Sequence, residues 1–338
     1  MASPSKRASR GDVDALARAA GVAFERVVPR LRAGSRVAFA AANGPGFFAG
    51  LLAILRRGCA AILLDGSTPE AERLRIARGL GAAALLEVPC GWPSDLEGGP
   101  QGFSVRALDL EATALDDASA GLAVIKVTSG STGSPRGVVT PTEALVADDA
   151  ALAASMGLRA EDVFLATVPM THSYGLSSLA LPTLVRGSVV VTPDGDDPLA
   201  PLAAAHALGA TVFPTVPAYL DALLRLGHPP AWPASLRLAI TAGAPLPPAT
   251  ARRFRETFDR AVHVFYGASE CGGICYDREG GAGERGTVGT PVEGVTVDLD
   301  SDSDETDSGV VSVASAAVAR GYVPEADARL GGGRYRTG

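Results

Sequence analysis

Hydroxyls and bare amides crowd into one loop of this sequence. The run is "VTSGSTGSPRG", residues 127–137, which leaves a short apolar stretch and closes on Pro135 and Arg136. Glycines allow left-handed and close-approach backbone, so a strand-borne loop of this kind can aim several N–H groups and hydroxyls at one anion. Phosphate is the natural guest. The spacing excludes two common phosphate loops: a Walker loop, G-x-x-x-x-G-K-[ST], needs its second Gly at the fifth position after the first, where Pro135 follows Gly130, and G-x-G-x-x-G is absent. A flexible polar linker is what composition alone favours. Against it stands the order of a strand over 122–128, the loop, one cation at Arg136, and a second strand-like run, "GVVT".

The elements that must carry such a loop alternate along the chain. Buried strands are expected over 37–42, 61–65 and 83–88, with helical spacing over 46–57 and 69–80 between them, which is the arithmetic of βαβ units. After a Gly/Pro-rich stretch at 89–102, strands are expected near 163–168, 188–192, 211–216, 236–242 and 262–266. From 286 onward the pattern alternates with period two around an acidic turn. The fold class expected is α/β, two packed and mostly parallel sheet layers plus a small C-terminal β subdomain. The divisions expected are a flexible tail at 1–11, a first α/β subdomain at 12–118, a second at 119–285 with the phosphate loop, and the β subdomain at 286–338. The acidic turn fails as a calcium loop. Counted from Asp300, Glu305 stands where Gly is required and Val311 where the bidentate Glu belongs, so a solvated hairpin loop is the better reading.

The run "TSGSTGSPRGV" resembles the phosphate-loop signature of the adenylate-forming superfamily, which includes acyl- and aryl-CoA synthetases, peptide-synthetase adenylation domains and luciferase. Arg136 stands where the family usually has lysine; it keeps the charge and adds a fork suited to phosphate oxygens. Further segments resemble the family in order: "VPMTHSYGL" (168–176), "TAGAPL" (241–246), "FYGASE" (265–270) with Ser269 in the Thr place, "GTVGTP" (286–291) and the terminal "YRTG". The resemblance implies that Thr128, Ser129, Gly130, Ser131, Thr132, Gly133 and Arg136 hold phosphates. It implies too that Gly243, Ala244, Pro245, Tyr266, Gly267 and Ser269 hold the adenylate. Tyr266 offers a face for adenine, Ser269 a hydroxyl for the α-phosphate, and Glu270, with Thr128, oxygen donors for Mg²⁺. His172, Glu270 and Arg136 are the implied catalytic residues. His172, Phe213, Val216, Gly243, Gly267, Cys271 and Gly272 are the expected substrate pocket. Taken singly, each has a plainer reading, such as a satisfied loop histidine or a core tyrosine. Lys126 shares a strand face with Thr128 and either helps hold a phosphate or reaches solvent.

Composition bounds the partners. A net charge of -7 over 338 residues gives no general attraction for nucleic acid or anionic lipid. Apolar runs fall well short of the ~20 residues that span a bilayer, so a cytoplasmic protein is expected. Four cysteines, Cys59, Cys90, Cys271 and Cys275, are too scattered for a disulfide scaffold or a zinc ribbon.

The resemblance implies ATP-dependent activation of a carboxylic acid to an acyl-adenylate, then transfer to a thiol, CoA being favoured. Loading of an acyl carrier protein is the alternative within the family, and a non-enzymatic nucleotide-binding relic or sensor the alternative outside it. An aliphatic or aromatic acid without an α-amino group is expected, because "THSYGLSS" holds no acidic residue to pair an ammonium. The chain ends at "YRTG", so the resemblance implies a truncated piece without the mobile C-terminal domain and its lysine, crippled in turnover.

Overall fold

The computed structural model describes residues 8–29, 31–88, 103–108, 123–129, 135–193, 195, 197–226, 229–300 and 309–337. The chain divides into two compact units, 1–142 with 321–327, and 143–320 with 328–338.

The first unit is built on a seven-stranded sheet. Its spatial order is Gly321–Val323, Pro135–Pro141, Ala123–Ser129, Ala60–Asp65, Arg36–Ala41, Ala84–Glu87 and Ser104–Ala107. The centre is parallel, as the apolar runs predict, with Arg36 opposite Ala60 and Ala41 opposite Asp65. The edges are antiparallel. Helix Pro45–Leu55 buries nearly every residue between the parallel strands, and Pro45 starts it without losing a needed N–H. Strands Ala123–Ser129 and Pro135–Pro141 pair as a hairpin, with Thr128 opposite Arg136 and Ser129 opposite Pro135. A Cβ at Gly137 would come within 2.4 Å of the Ile125 side chain, so only glycine lets the return strand lie at this distance.

Two expected boundaries move. The sequence pattern places the hairpin in a second subdomain beginning at 119, but its strands pair into the sheet of the first unit, which continues to Thr142. Backbone pairing with Ala60–Asp65 decides this, and a local pattern does not report it. Likewise the tail expected over 1–11 already contains a helix start: Arg10–Val27 is capped by Ser9. The Ser9 Oγ accepts the Asp12 N–H at 3.2 Å, and Asp12 accepts the Ser9 N–H at 2.7 Å, a capping box.

The second unit holds another seven-stranded sheet, in the order Thr290–Pro291, Gly272–Tyr276, Val262–Ala268, Leu238–Thr241, Val212–Thr215, Val163–Leu165 and Val189–Val191. Four of its pairings are parallel. Helices Ala200–Leu208, Pro217–Leu224 and Pro248–Phe258 cover one face through Leu202, Leu220 and Phe254. Helix Thr142–Met156 buries Ala144, Leu145 and Leu152, and also Asp148 and Asp149. A small antiparallel sheet, Thr296–Asp300, Val310–Ala314, Arg334–Arg336 and Leu330–Gly331, completes the expected β subdomain. The fold class is therefore α/β, with two large sheets and a small antiparallel one, although Thr290–Pro291 and Gly321–Val323 join the large sheets. The acidic turn at 301–308 and Cys90 lie outside the described residues. No described helix is long and apolar enough to cross a membrane. Cys59, Cys271 and Cys275 are buried.

Candidate functional site

Parallel strands gather ligand-binding residues at their carboxyl ends. In the second unit, Val212–Thr215 leads to Val216, Leu238–Thr241 to the loop of Gly243, Ala244 and Pro245, and Val262–Ala268 to Ser269 and Glu270. Gly243, Ala244 and Pro245 are exposed, and Gly243 has φ 84°, left-handed backbone that favours glycine.

The turn from Tyr266 to Gly273 is too tight for side chains at its corners. A Cβ at Gly267 would sit 2.7 Å from the Gly272 carbonyl, and one at Gly272, with φ 69°, would strike the Asp148 carboxylate at 2.3 Å. A bulge between Tyr266 and Gly267 breaks the antiparallel register. The outcome is that Tyr266, Ser269 and Glu270 leave the strand end half-buried. Burial raises the Tyr266 phenol above its ordinary value, with Cys271 and Cys275 adding to the shift. Tyr335 is pushed up to about 12 by burial first and the nearby Glu270 carboxylate second, which places that phenol beside the site.

His172 caps the helical stretch at 173–186. Its Nδ1 accepts the Tyr174 N–H at 3.3 Å, so the neutral ring carries its proton on Nε2. Gly175 is required at this corner, since a Cβ would lie 2.0 Å from the Pro169 carbonyl. Tyr174 donates its hydroxyl to the Ile240 carbonyl at 3.0 Å and lies against Phe265, tying the helix to two site-bearing strands. The two segments then meet directly: the Ser173 and Ser269 hydroxyls are 2.6 Å apart.

Sequence reasoning missed Asp148. It lies on helix Thr142–Met156, is 4% exposed, accepts the Gly273 N–H at 2.9 Å and the Ser177 hydroxyl at 2.6 Å. It thus brackets the glycine turn to the helix behind His172. A paired "DD" inside an apolar helix was the available signal, because buried carboxylates need partners. Its neighbour Asp149 faces Arg186 at 3.1 Å, and burial pushes its carboxyl up while Arg186 opposes that.

Other expected residues fall differently. Phe213 is fully buried in the core, against Tyr219 and Trp232. Alternation explains it: Val212 and Pro214 face the opposite side of the sheet. Cys271 is also fully buried. Gly130, Ser131, Thr132 and Gly133 lie outside the described residues, as does the side chain of Ser129. In the first unit Thr128 is half-buried on its strand. Arg136 is already engaged, paired with Asp327 at 3.2 Å and stacked 3.9 Å over the Tyr322 ring. Lys126 is 5% exposed, which removes the solvent-reaching alternative. Among the described residues no three His, Cys, Asp or Glu side chains cluster as a metal cage. One carboxylate, as Glu270 offers, fits the kind of Mg²⁺ site in which ligand phosphates complete the shell.

An α/β unit with a His-capped helix, a Tyr-Gly-x-Ser-Glu turn and a Gly-Ala-Pro loop at adjoining strand ends defines a class, and the AMP-binding enzyme family matches residues 3–323. The chain belongs to that family. Among curated relatives, an acyl-CoA ligase of Aspergillus fumigatus is 31% identical over 54% of this chain and 33% of its own length. A feruloyl-CoA synthase of Amycolatopsis is 29% identical over 89% of this chain and 64% of its own. The chain thus spans under two thirds of either relative. Among solved structures, the N-terminal domain of FACL13 from Mycobacterium tuberculosis superposes with a TM-score of 0.79 at 20% identity, covering 98% of this chain and 89% of that one. The o-succinylbenzoate CoA synthetase of Bacillus subtilis, solved with its acyl-adenylate, gives 0.77 at 22% identity, covering 97% and 68%. Both likenesses concern the fold.

Proposed function

We propose that this chain binds ATP and activates a carboxylic acid as an acyl-adenylate, from which a thiol, CoA in the favoured reading, displaces AMP. The observation that carries the reading is the Ser173–Ser269 contact at 2.6 Å, which sets His172 and Glu270 on two segments held together. The exposed Gly243, Ala244 and Pro245 loop and the Tyr266 face receive adenine. Ser269 donates its hydroxyl to the α-phosphate, and the hydroxyl loop at 127–137 is assigned to the phosphates on its sequence. His172, with Nδ1 already accepting, offers an Nε2–H to the substrate carboxylate and orients it. The carboxylate oxygen then forms its bond to the α-phosphorus as the bridge to the β-phosphate breaks and pyrophosphate leaves. Catalysis of this step is positioning and charge neutralisation. Glu270 would hold Mg²⁺, which when bound supplies positive charge to phosphate oxygens.

Relatives named for feruloyl and 2-succinylbenzoate CoA ligation favour a small aliphatic or aromatic acid. The acid should lack an α-amino group: 172–178 holds no carboxylate, and the nearby Asp148 already accepts two donors. An aminoacyl-adenylate analogue binding more tightly than its deaminated counterpart would contradict this.

Calorimetry with AMP and with ATP, with and without Mg²⁺, tests the central reading. Both nucleotides should bind, ATP with an Mg²⁺-dependent gain that Glu270→Ala removes while AMP binding persists. No binding of either at millimolar concentration overturns the assignment.

A further inference from the structure

We propose that the acid activated here carries a hydroxyl group at its far end, received in a buried cavity by Asp149 and Ser178. The inference rests on the adenylating reading above and names its substrate class more narrowly.

A cavity of about 10 Å³ lies inside the second unit, room for one water-sized group. Leu152, Phe164, Val212 and Ile240 make its walls apolar, while Asp149 and Ser178 line one side. Its place relative to the site follows from the elements. Ser178 stands six residues beyond His172 on the same helical stretch, within a π-helical segment, Leu176–Ala180. Segments of this kind re-aim side chains and recur at functional sites. Here Ser177 and Ser178 both line the cavity, Ser177 with its hydroxyl already donated to Asp148. Pro214 and Ile240 are the penultimate residues of strands whose next loops carry Val216 and Gly243. The cavity therefore sits one residue below the strand ends, and an acyl tail held at its carboxylate beside His172 descends toward it between helix and strands.

The polar side of the cavity is under-bonded. Asp149 Oδ1 and Ser178 Oγ are buried and make no hydrogen bond, although the two residues are only 2% and 7% exposed. Native interiors seldom leave such atoms unfilled unless a ligand or water completes them. Arg186 Nε and Nη2 are likewise buried without a hydrogen bond, Nε lying 3.1 Å from Asp149 Oδ2, so the cluster lacks both a donor toward Asp149 Oδ1 and an acceptor for its own donors. The Asp149 charge is already faced by Arg186 at 3.1 Å, and an ammonium would set a second cation beside that guanidinium in an apolar wall. A neutral hydroxyl satisfies both atoms: it donates to Oδ1 and accepts from Ser178.

The test is calorimetry on this chain with non-hydrolysable acyl-sulfamoyl adenosines in matched pairs, hydroxyl-tipped against methyl-tipped, on alkyl and aryl bodies of graded length. At least one hydroxyl-tipped member should bind tenfold or more tightly than its partner. Ser178→Ala should bring that pair within about twofold, and Ser178→Val, which also fills the cavity, should weaken the hydroxyl-tipped member further. Equal or tighter binding of the methyl-tipped member in every pair would show that the cavity holds only water and overturn the proposal, as would a preference that survives both substitutions. If AMP binds and no analogue improves on it, the tail assignment falls while the nucleotide site stands. If AMP and all analogues fail, the adenylating reading itself has failed. Should either variant misfold, the unmodified pairs decide alone.

Discussion

Two residues of the site, Gly175 and Ser269, separate shape from chemistry. Gly175 makes no polar contact with a ligand in the proposed mechanism, yet a methyl there would lie 2.0 Å from the Pro169 carbonyl, backbone that cannot swing aside. Gly175→Ala should cost about 1–3 kcal/mol, the range for overpacking a tight contact, and urea denaturation would measure it. Nucleotide binding should weaken with it, because the helix that follows His172 is displaced. Ser269→Ala predicts the opposite division. Both hydroxyls of the Ser173–Ser269 contact are half-buried and can turn to water, so stability should change by less than about 1 kcal/mol. AMP affinity should nevertheless drop severalfold in calorimetry, since the hydroxyl assigned to the α-phosphate is gone. A loss of stability as large as that of Gly175→Ala would make Ser269 a structural residue.

Elements show the same division on a larger scale. The hairpin of Ala123–Ser129 and Pro135–Pro141 is held by seven register pairs and by Gly137, and its return strand is covered by Gly321–Val323. Arg136 is fixed to that covering strand through Tyr322 and to the chain just beyond it through Asp327, so the cation beside the hydroxyl loop is positioned by residues far along the chain. Asp327→Asn should therefore lower ATP affinity more than AMP affinity, because only the β- and γ-phosphates use the loop's cation in the proposed binding mode. Equal effects on both nucleotides would remove Arg136 from phosphate binding. At the other end of the unit, the Ser9 and Asp12 capping box starts helix Arg10–Val27. Ser9→Ala should cost about 1 kcal/mol, the usual worth of an N-cap, read as a lowered denaturation midpoint with unchanged slope.

At the scale of the whole molecule, buried titratable groups set how stability depends on pH. Burial by itself raises the Asp162 carboxyl, but the Arg237 guanidinium, the Arg159 N–H and the Thr211 hydroxyl outweigh it and hold the group below its ordinary value of 3.8. A depressed carboxyl stabilises the fold at pH values above its unfolded pKa, and that contribution is lost as pH falls through the lower, folded one. Melting temperature should therefore decline below about pH 4, and Asp162→Asn should flatten that decline. The same substitution should cost on the order of 2–3 kcal/mol at neutral pH, less than a fully buried pair because Arg237 is partly exposed. On the alkaline side, burial raises Cys59 to about 11 and Tyr219 to about 12. Acids raised in the folded state ionise first in the unfolded chain, so stability should fall as pH climbs past their ordinary values of 9.0 and 10.0.

What was legible in the residues alone was local chemistry and period. Continuous apolar runs over 37–42 and 61–65 specify strands buried on both faces, and the hydroxyl loop, the His-x-x-Gly segment and the Tyr-Gly-x-Ser-Glu turn declare themselves by type and spacing. The helix start at Ser9 is equally local, carried by the Ser-x-x-Asp pattern inside the stretch expected as tail. Phe213 too was decidable by alternation along its strand. Three matters belonged to the tertiary structure. The hairpin's membership of the first sheet depends on pairing with residues some sixty positions earlier. The engagement of Arg136 depends on Asp327, 191 residues away. The bracket of Asp148 on Gly273 spans 125 residues. Each is a long-range contact whose free energy comes from desolvated, mutually satisfied groups, and nothing in a residue's immediate neighbours records which distant partner will satisfy it.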